Sequence, residues 1–500
     1  MKRISHWIGG KAATYVGTDP GGRFAPVFDP ATGTQTATVE LASAAIVDEA
    51  VAAAAAAWHS WRHASLAERV RVMFAFRELV DRNRDEIAGA IASEHGKTHA
   101  DAMGEVARGL DVVEFACGIA DLLKGGYSES VSTSVDTYSL RQPLGVVAGI
   151  TPFNFPAMVP MWMFPVAVAC GNCFVLKPSE KDPSASLVLA SLLAEAGLPD
   201  GVFSVVQGDK PAVDRLLEHP DVRAVSFVGS TPIARYVYET GTRNGKRVQA
   251  LGGAKNHMVV LPDASMEMAA DAAVSAGFGS AGERCMAVAV VVVVEPGGDE
   301  LVNLIAERVR DIHVGPASEP GSDMGPLVTR EHRDKVASYV ASGAAEGADV
   351  VLDGRGHEAA DGEGFFLGPT LLDHVRPDMS VYRDEIFGPV LSIVRAGSYD
   401  EALELVNANP YGNGAAIFTN DGGAARRFQH EVEAGMVGVN VSIPVPVAYY
   451  PFGGWKASLF GDTHAYGRDA VHFYTRGKVV TSRWLDPSHG GVQLGFPTMG

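Results

Sequence analysis

Cys285 lies in the run Ala281-Gly282-Glu283-Arg284-Cys285-Met286, between a helical stretch with several small residues and a long apolar segment. A thiolate is the nucleophilic form of cysteine and a neighbouring guanidinium favours it, so Arg284 beside Cys285 points to covalent catalysis; the competing reading is an inert thiol. Two further patterns could hold a nucleotide. Lys177-Pro178-Ser179-Glu180 closes an apolar run. A lysine and a carboxylate at the carboxyl edge of a parallel sheet can grip both hydroxyls of an adenosine ribose, and Glu180 would repel a 2′-phosphate, favouring NAD over NADP. The same residues also suit a helix cap with a surface ion pair. In Phe227-Val228-Gly229-Ser230-Thr231-Pro232 a glycine and a hydroxyl open a helix after an apolar strand. Free N–H groups and the helix dipole make such a place an anion site, or simply an ordinary cap.

Other suggestive patterns point to structure. Cys170-Gly171-Asn172-Cys173 has no second cysteine pair and leads straight into an apolar strand, so it reads as buried structural thiols rather than a zinc or redox pair. His59 and His63 have the i,i+4 spacing of metal ligands, but Trp58 and Trp61 accompany them and no carboxylate is near; they read as helix surface. No metal is expected. There is no Walker loop, no H-E-x-x-H, no EF-hand loop and no G-x-G-x-x-G.

The elements that must position these residues alternate. Strands are predicted at 145–150, 173–177, 202–206 and 224–228, with helices at 158–169, 184–196, 212–218 and 232–240. Such alternation means βαβ units and a doubly wound parallel sheet, hence an α/β fold. A second α/β series starts near Asn256, with helices at 266–276, 300–312, 332–345 and 401–407 and strands at 286–294 and 390–395. Residues 42–124 read as helical, punctuated at Gly96 and Gly104; Tyr127 to Leu140 reads as a polar strand pair that the first sheet cannot use, a subunit contact. The tail from Pro451 is rich in glycine and aromatic residues and is expected to return over the rest.

Composition narrows the function. The chain has 500 residues, enough for two or three domains, with 47% hydrophobic and 20% charged residues, the balance of a globular protein. A net charge of −18 disfavours nucleic acid and anionic membrane as partners. Phe155 to Cys170 is apolar but interrupted by Pro156, Pro160 and Pro165, and reads as a buried helix rather than a membrane span. Four cysteines suggest a reducing compartment, and 1–30 shows no apolar leader, so a cytoplasmic protein is expected.

In this order the motifs resemble the aldehyde dehydrogenase superfamily over nearly the whole chain. The carriers are Thr151-Pro152-Phe153-Asn154-Phe155-Pro156, Lys177-Pro178-Ser179-Glu180, Phe227-Val228-Gly229-Ser230-Thr231, Leu251-Gly252-Gly253, the Cys285 segment, Glu385-Ile386-Phe387-Gly388-Pro389 and Pro451-Phe452-Gly453-Gly454-Trp455-Lys456. The resemblance implies an aldehyde dehydrogenase-like fold with a Rossmann-type sheet. It implies an NAD-binding domain over 1–123 and 142–253, to which 436–467 returns, and a catalytic domain over 254–435. An oligomerisation arm and tail, 124–141 and 468–500, would build a homo-oligomer, a dimer of dimers. It implies Thr151, Phe153, Lys177, Glu180, Lys181, Ser230, Gly252, Glu385 and Phe387 as the NAD site, Phe387 on the nicotinamide-ribose side. Cys285 would be the nucleophile, and Asn154 with the Cys285 N–H the oxyanion donors.

Hydrolytic members carry a glutamate just before Leu-Gly-Gly. Here that place falls on Ala250 or Leu251, neither of which can take a proton. Losing a positioned base costs roughly 10²–10⁴ in rate, so an acyl-enzyme should wait for a thiol such as coenzyme A. The substitution is similar to that in the CoA-acylating (methyl)malonate-semialdehyde dehydrogenases, which the runs Gly253-Ala254-Lys255-Asn256-His257 and Gly104-Glu105-Val106-Ala107-Arg108 also resemble. That branch implies Arg108 and Arg284 as a clamp for the substrate carboxylate and loss of CO₂ on the way to acetyl- or propionyl-CoA, chemistry that serves valine or inositol breakdown. Three alternatives stay open: a hydrolytic enzyme with a base elsewhere, a CoA-acylating enzyme for another acid-bearing aldehyde, and a non-catalytic protein that keeps the fold.

Overall fold

The computed structural model describes residues 2–15 and 22–484. Five apolar strands, Val146–Ile150, Cys173–Lys177, Phe203–Val205, Val222–Val228 and Arg247–Leu251, pair in parallel. Their spatial order is 3-2-1-4-5 by chain position, the doubly wound arrangement whose ligand crevice opens where the order reverses. That point lies between Val146–Ile150 and Val222–Val228, so the segments beginning at Thr151 and Gly229 leave the sheet on either side of it. The crossover helices are Met158–Ala169, Ser184–Glu195, Lys210–Glu218 and Thr231–Arg243. Antiparallel strands extend both edges: Leu459–Phe460 beside Arg247–Leu251, and His6–Ile8 with Lys11–Ala13 beyond Phe203–Val205.

The second sheet runs Asp349–Leu352, Thr370–Asp373, Val390–Ala396, Val288–Val294, Asn256–Val260, Gly414–Phe418 and Met436–Val439, parallel except at its first pair. Val288–Val294 is central and almost wholly buried, which is why its β-branched run shows no alternation. Each large sheet has its own apolar core.

The structure corrects several local expectations. The strand expected from Met286 begins at Val288, because the Ala287 N–H donates to the Arg284 carbonyl and closes a turn there. Gly96 ends the helix Arg84–His95 in left-handed conformation, φ 90°, but Gly104 ends nothing. It sits exposed inside His99–Cys117, where burial of Ala102, Glu105, Val106, Gly109, Leu110 and Val113 outweighs the glycine's poor helix propensity. The helix Ala44–Trp61 stops before His63, so His59 and His63 do not share a helix face. Among the described residues no group of histidine, cysteine and carboxylate side chains could hold a metal ion.

The apolar stretch from Met158 is a helix buried along its whole length, with Pro165 inside it, and no described helix is long and apolar enough to cross a membrane. Tyr127–Ser132 and Val135–Pro143 form an antiparallel ribbon, and Thr475–Arg483 joins it as a third strand along the full length of Val135–Pro143. Before that strand the helix Gly467–Phe473 and Tyr474 pack into the first core. Residues 485–500 of the expected tail lie outside the described residues.

Asn172 explains the Cys170–Cys173 turn. Its Oδ1 accepts from the N–H groups of Leu144 (2.7 Å) and Gly145 (3.1 Å), and its Nδ2 donates to the carbonyls of Ala167 (3.0 Å) and Tyr474 (2.9 Å). The flanking thiols are buried and burial pushes both up to about 12, so neither is reactive at neutral pH. Asn172→Ala strands three buried backbone groups, the N–H groups of Leu144 and Gly145 and the Tyr474 carbonyl, while the residue's own N–H still serves the Ala167 carbonyl; it should cost about 2–4 kcal/mol in urea unfolding, and a change under about 0.5 kcal/mol would show the turn to be held otherwise.

Candidate active site

The residues that the sequence singles out fall at two kinds of place. Lys177 ends a strand of the first sheet and Thr151, Ser230 and Gly252 follow such strands, while Cys285, Glu385 and Asn413 precede strands of the second and Asn256 starts one. Gly252 to Lys255 is the short crossing between the sheets. The site is built where the carboxyl ends of one sheet face the amino ends of the other.

Cys285 sits on a tight turn. Ser280 and Ala281 have φ of 53° and 52°, and Gly282 follows at 74°. A Cβ on Gly282 would lie 2.3 Å from the Gly388 carbonyl oxygen, so only glycine lets the Cys285 turn approach the Glu385–Pro389 segment. Two asparagines anchor the far side of the turn. Asn256 Nδ2 donates to the carbonyls of Cys285 and Ala287, both at 2.9 Å, and Asn413 Nδ2 donates to Cys285 O at 3.1 Å. With its carbonyl so occupied, the Cys285 peptide is fixed in orientation.

Glu385 is buried against the crossing. Its Oε1 accepts from the Ala254 N–H at 2.8 Å, and a Cβ on Gly253 would meet Oε2 at 2.2 Å. Lys255, buried, supports the segment from beneath by donating to the carbonyls of Val381 and Asp384, both at 2.8 Å. Phe387, at φ 59°, sets its ring edge-on to Phe153 with centroids 5.9 Å apart, and Lys181 Nζ lies 4.5 Å from the Phe153 centroid. On the first sheet, Lys177 Nζ pairs with Glu180 at 3.4 Å, and burial lowers the lysine's affinity for its proton. Ser230 precedes the helix Thr231–Arg243 without capping it through its side chain, and the buried Thr151 hydroxyl has no hydrogen-bond partner among the described residues. Gly253 N–H donates to Thr231 Oγ1 at 2.8 Å, and a side chain on Gly252 would strike the Ala457 carbonyl. An uncapped helix start, an orphaned hydroxyl and a lysine–carboxylate pair at neighbouring strand ends fit a dinucleotide.

Asn154 is buried, and its carboxamide has no hydrogen-bond partner among the described residues. Arg108 and Arg284 both relate to the helix His99–Cys117. Arg284 pairs with Asp101, and Arg108, two turns further on the same face, bonds to Asp111 Oδ2 (3.2 Å) and to the Pro446 carbonyl (2.9 Å). Tyr466, which the sequence did not flag, donates its hydroxyl to the same Pro446 carbonyl at 3.0 Å and feels the charges of both Arg108 and Cys285. It shares a cleft with Arg108, Met158, Trp162 and Val445.

Electrostatics amends the expectation for Cys285. Burial first, and then Glu385, push its thiol up to about 12; the guanidinium of Arg284, drawn away to Asp101, opposes this least among the groups that do. Arg284 therefore does not make a resting thiolate. Burial also raises Glu385 to about 7 and Glu283 to about 8, so the Glu283 beside the nucleophile is mostly a neutral acid at pH 7.

Against known proteins, a sequence model of the aldehyde dehydrogenase family matches residues 15–480, and the chain belongs to that family. It is 52% identical over 502 residues to the malonate-semialdehyde dehydrogenase of Pseudomonas aeruginosa, with 100% of each chain covered. The crystal structure of methylmalonate-semialdehyde dehydrogenase from Oceanimonas doudoroffii superposes with a TM-score of 0.95 at 53% identity, over 98% of this chain and 99% of that one. A chain from Sinorhizobium meliloti 1021, assigned as a methylmalonate-semialdehyde dehydrogenase and complexed with NAD, also superposes with a TM-score of 0.95, at 51% identity over 97% of this chain and 99% of that one.

Cys285 is the one cysteine of the four that is not fully buried, so iodoacetamide should modify it selectively. With the thiol near 12, the rate should climb about tenfold per pH unit from pH 7 to 9 without a plateau. Glu385 becomes a carboxylate as pH rises through about 7, so Glu385→Gln should quicken alkylation severalfold above pH 7 and little below it. A plateau below pH 8 would contradict a thiol that is neutral at rest.

Proposed function

We propose that the chain catalyses the NAD-dependent, CoA-acylating oxidation of malonate or methylmalonate semialdehyde, with loss of CO₂, to acetyl-CoA or propionyl-CoA. The observation that carries this over hydrolysis is that Ala250 and Leu251, ahead of Gly252, are both buried hydrocarbon, so neither can activate water. The close relatives named for malonate- and methylmalonate-semialdehyde dehydrogenase support the substrate class.

Lys177 and Glu180 hold the adenosine ribose, Ser230 and the N–H groups opening Thr231–Arg243 the phosphates, and Glu385 the nicotinamide ribose beside Phe387 and Phe153. Thr151, Lys181 and Gly252 complete this surface. Bound NAD supplies the hydride acceptor. Arg108, with Arg284, receives the substrate carboxylate through charge-assisted hydrogen bonds. Cys285 gives up its proton to water and attacks the aldehyde carbon. The Asn154 carboxamide and the Cys285 N–H then stabilise the oxyanion. Departure of hydride leaves a thioester on Cys285. The β-carboxylate leaves as CO₂, its electron pair passing into an enolate that the same two donors stabilise and that a proton then quenches. The coenzyme A thiolate takes the acyl group and frees Cys285.

The domains take the boundaries given by the resemblance, and the ribbon of Tyr127–Ser132, Val135–Pro143 and Thr475–Arg483 joins copies of the chain into a dimer of dimers in the cytoplasm.

Glu385, near 7 and within electrostatic reach of Cys285, is the group that a hydrolytic reading would use as base. One product assay separates the two. With malonate semialdehyde and NAD, multiple turnovers should require CoA and give acetyl-CoA; sustained release of a free carboxylic acid without CoA would establish hydrolysis. Arg108→Ala should raise KM about 10–100-fold for the semialdehyde and leave a neutral aldehyde such as propanal within about twofold, the loss of a charge-assisted bond being worth roughly 1.5–3 kcal/mol. An equal rise for both would remove Arg108 from the clamp.

A further inference from the structure

Asn154 hangs from a segment that cannot hold itself. Between the strand Val146–Ile150 and the helix Met158–Ala169 the chain forms no regular element, and Pro152 and Pro156 bring no N–H to it. Its grip comes from elsewhere. Lys97, buried between the helices Arg84–His95 and His99–Cys117, donates from Nζ to the Asn154 carbonyl at 2.7 Å and to Glu105 Oε2 at 2.7 Å. The ammonium also stands 4.4 Å from the centroid of the Phe155 ring. Glu105, equally buried, turns its other oxygen to the N–H groups of Ala157 (2.8 Å) and Met158 (3.1 Å), where a carboxylate also complements the start of Met158–Ala169. A single ion pair thus clasps the segment on both sides of Phe155-Pro156.

Two charges withdrawn from water are poor stabilisers compared with hydrocarbon of the same volume, so a fully buried Lys97–Glu105 pair has its rationale in orientation rather than in stability. What it orients is the peptide that carries an otherwise unpartnered carboxamide. We propose that Lys97 and Glu105 are positioning residues that hold the Asn154 carboxamide where the oxyanion forms. This rests on the role assigned to Asn154 above.

The test compares the pre-steady-state NADH burst with two reactions that develop no oxyanion: alkylation of Cys285 by iodoacetamide and binding of NAD. Asn154→Ala should slow the burst about 10²–10³-fold, as the loss of one oxyanion donor does. Lys97→Met should slow it about 10–100-fold, in line with small misplacements of a reacting group. It should leave alkylation and NAD affinity within about twofold, and it should add no further slowing on the Asn154→Ala background, because coupled residues are not additive. Glu105→Gln, close in volume, carries the same comparison if Lys97→Met does not fold. Full additivity with Asn154→Ala, or a parallel fall in alkylation, overturns the proposal, as does failure of both variants to fold. A normal burst in Asn154→Ala overturns the oxyanion role itself, whereas a slow burst there with a normal one in both Lys97→Met and Glu105→Gln overturns only the positioning role.

Discussion

Everything at the site depends on how closely three turns approach one another. The crossing through Gly253, the Cys285 turn through Gly282 and the segment Glu385–Pro389 come together so tightly that a single methyl at either glycine would overlap a carboxylate or a carbonyl. Neither position answers to turn geometry alone; both are places where one backbone lies against another. The asparagines 256 and 413 then tie the Cys285 carbonyl to the starts of two second-sheet strands. The thiol is held by rigid elements on every side, which is what a reaction needing alignment to a fraction of an ångström requires.

The sequence carried the fold's centre more clearly than its margins. Cys173–Lys177 and Met158–Ala169 fall where periodicity places them, because each is long, apolar and bounded by turn residues. The three-residue strands Lys2–Ile4, His6–Ile8 and Lys11–Ala13 near the amino terminus are too short to show any period. The site divides in the same way. Cys285, Lys177, Glu180 and Glu385 lie in compact motifs, whereas the ion pair of Lys97 and Glu105 serves a carbonyl 57 residues away and leaves no local pattern. Asn256 and Asn413 look like any polar residue before a strand. Arg284 shows the limit from the other side: adjacency to Cys285 suggests that its charge acts on the thiol, but its side chain turns to Asp101, a residue that chain position could not bring to mind.

Charge is distributed against the average of the molecule. A chain of net charge −18 nonetheless buries Lys97, Lys177 and Lys255 and half-buries Arg108, Lys181 and Arg284. Over a Debye length of about 8 Å at physiological salt the distant surface charge is screened, so the charge felt at the site is set by its own groups rather than by the global sum. The carboxyl groups there behave differently from those outside. Burial keeps Glu283 largely uncharged at neutral pH and leaves Glu385 near the middle of its titration, so the thiol is not ringed by fixed negative charge.

The ribbon has a consequence for the order in which the molecule is made. Its central strand, Val135–Pro143, emerges early from the ribosome, yet one of its two edges is covered by Thr475–Arg483, more than 330 residues later. At elongation rates of about 5–20 residues per second, that edge stays bare for some tens of seconds while the residues of both sheets are being made. The polar character of its side chains keeps the nascent strand from pairing with stray neighbours during that interval. Completion of the ribbon therefore waits until the residues of both large sheets have been made, and any joining of chains through it comes after that.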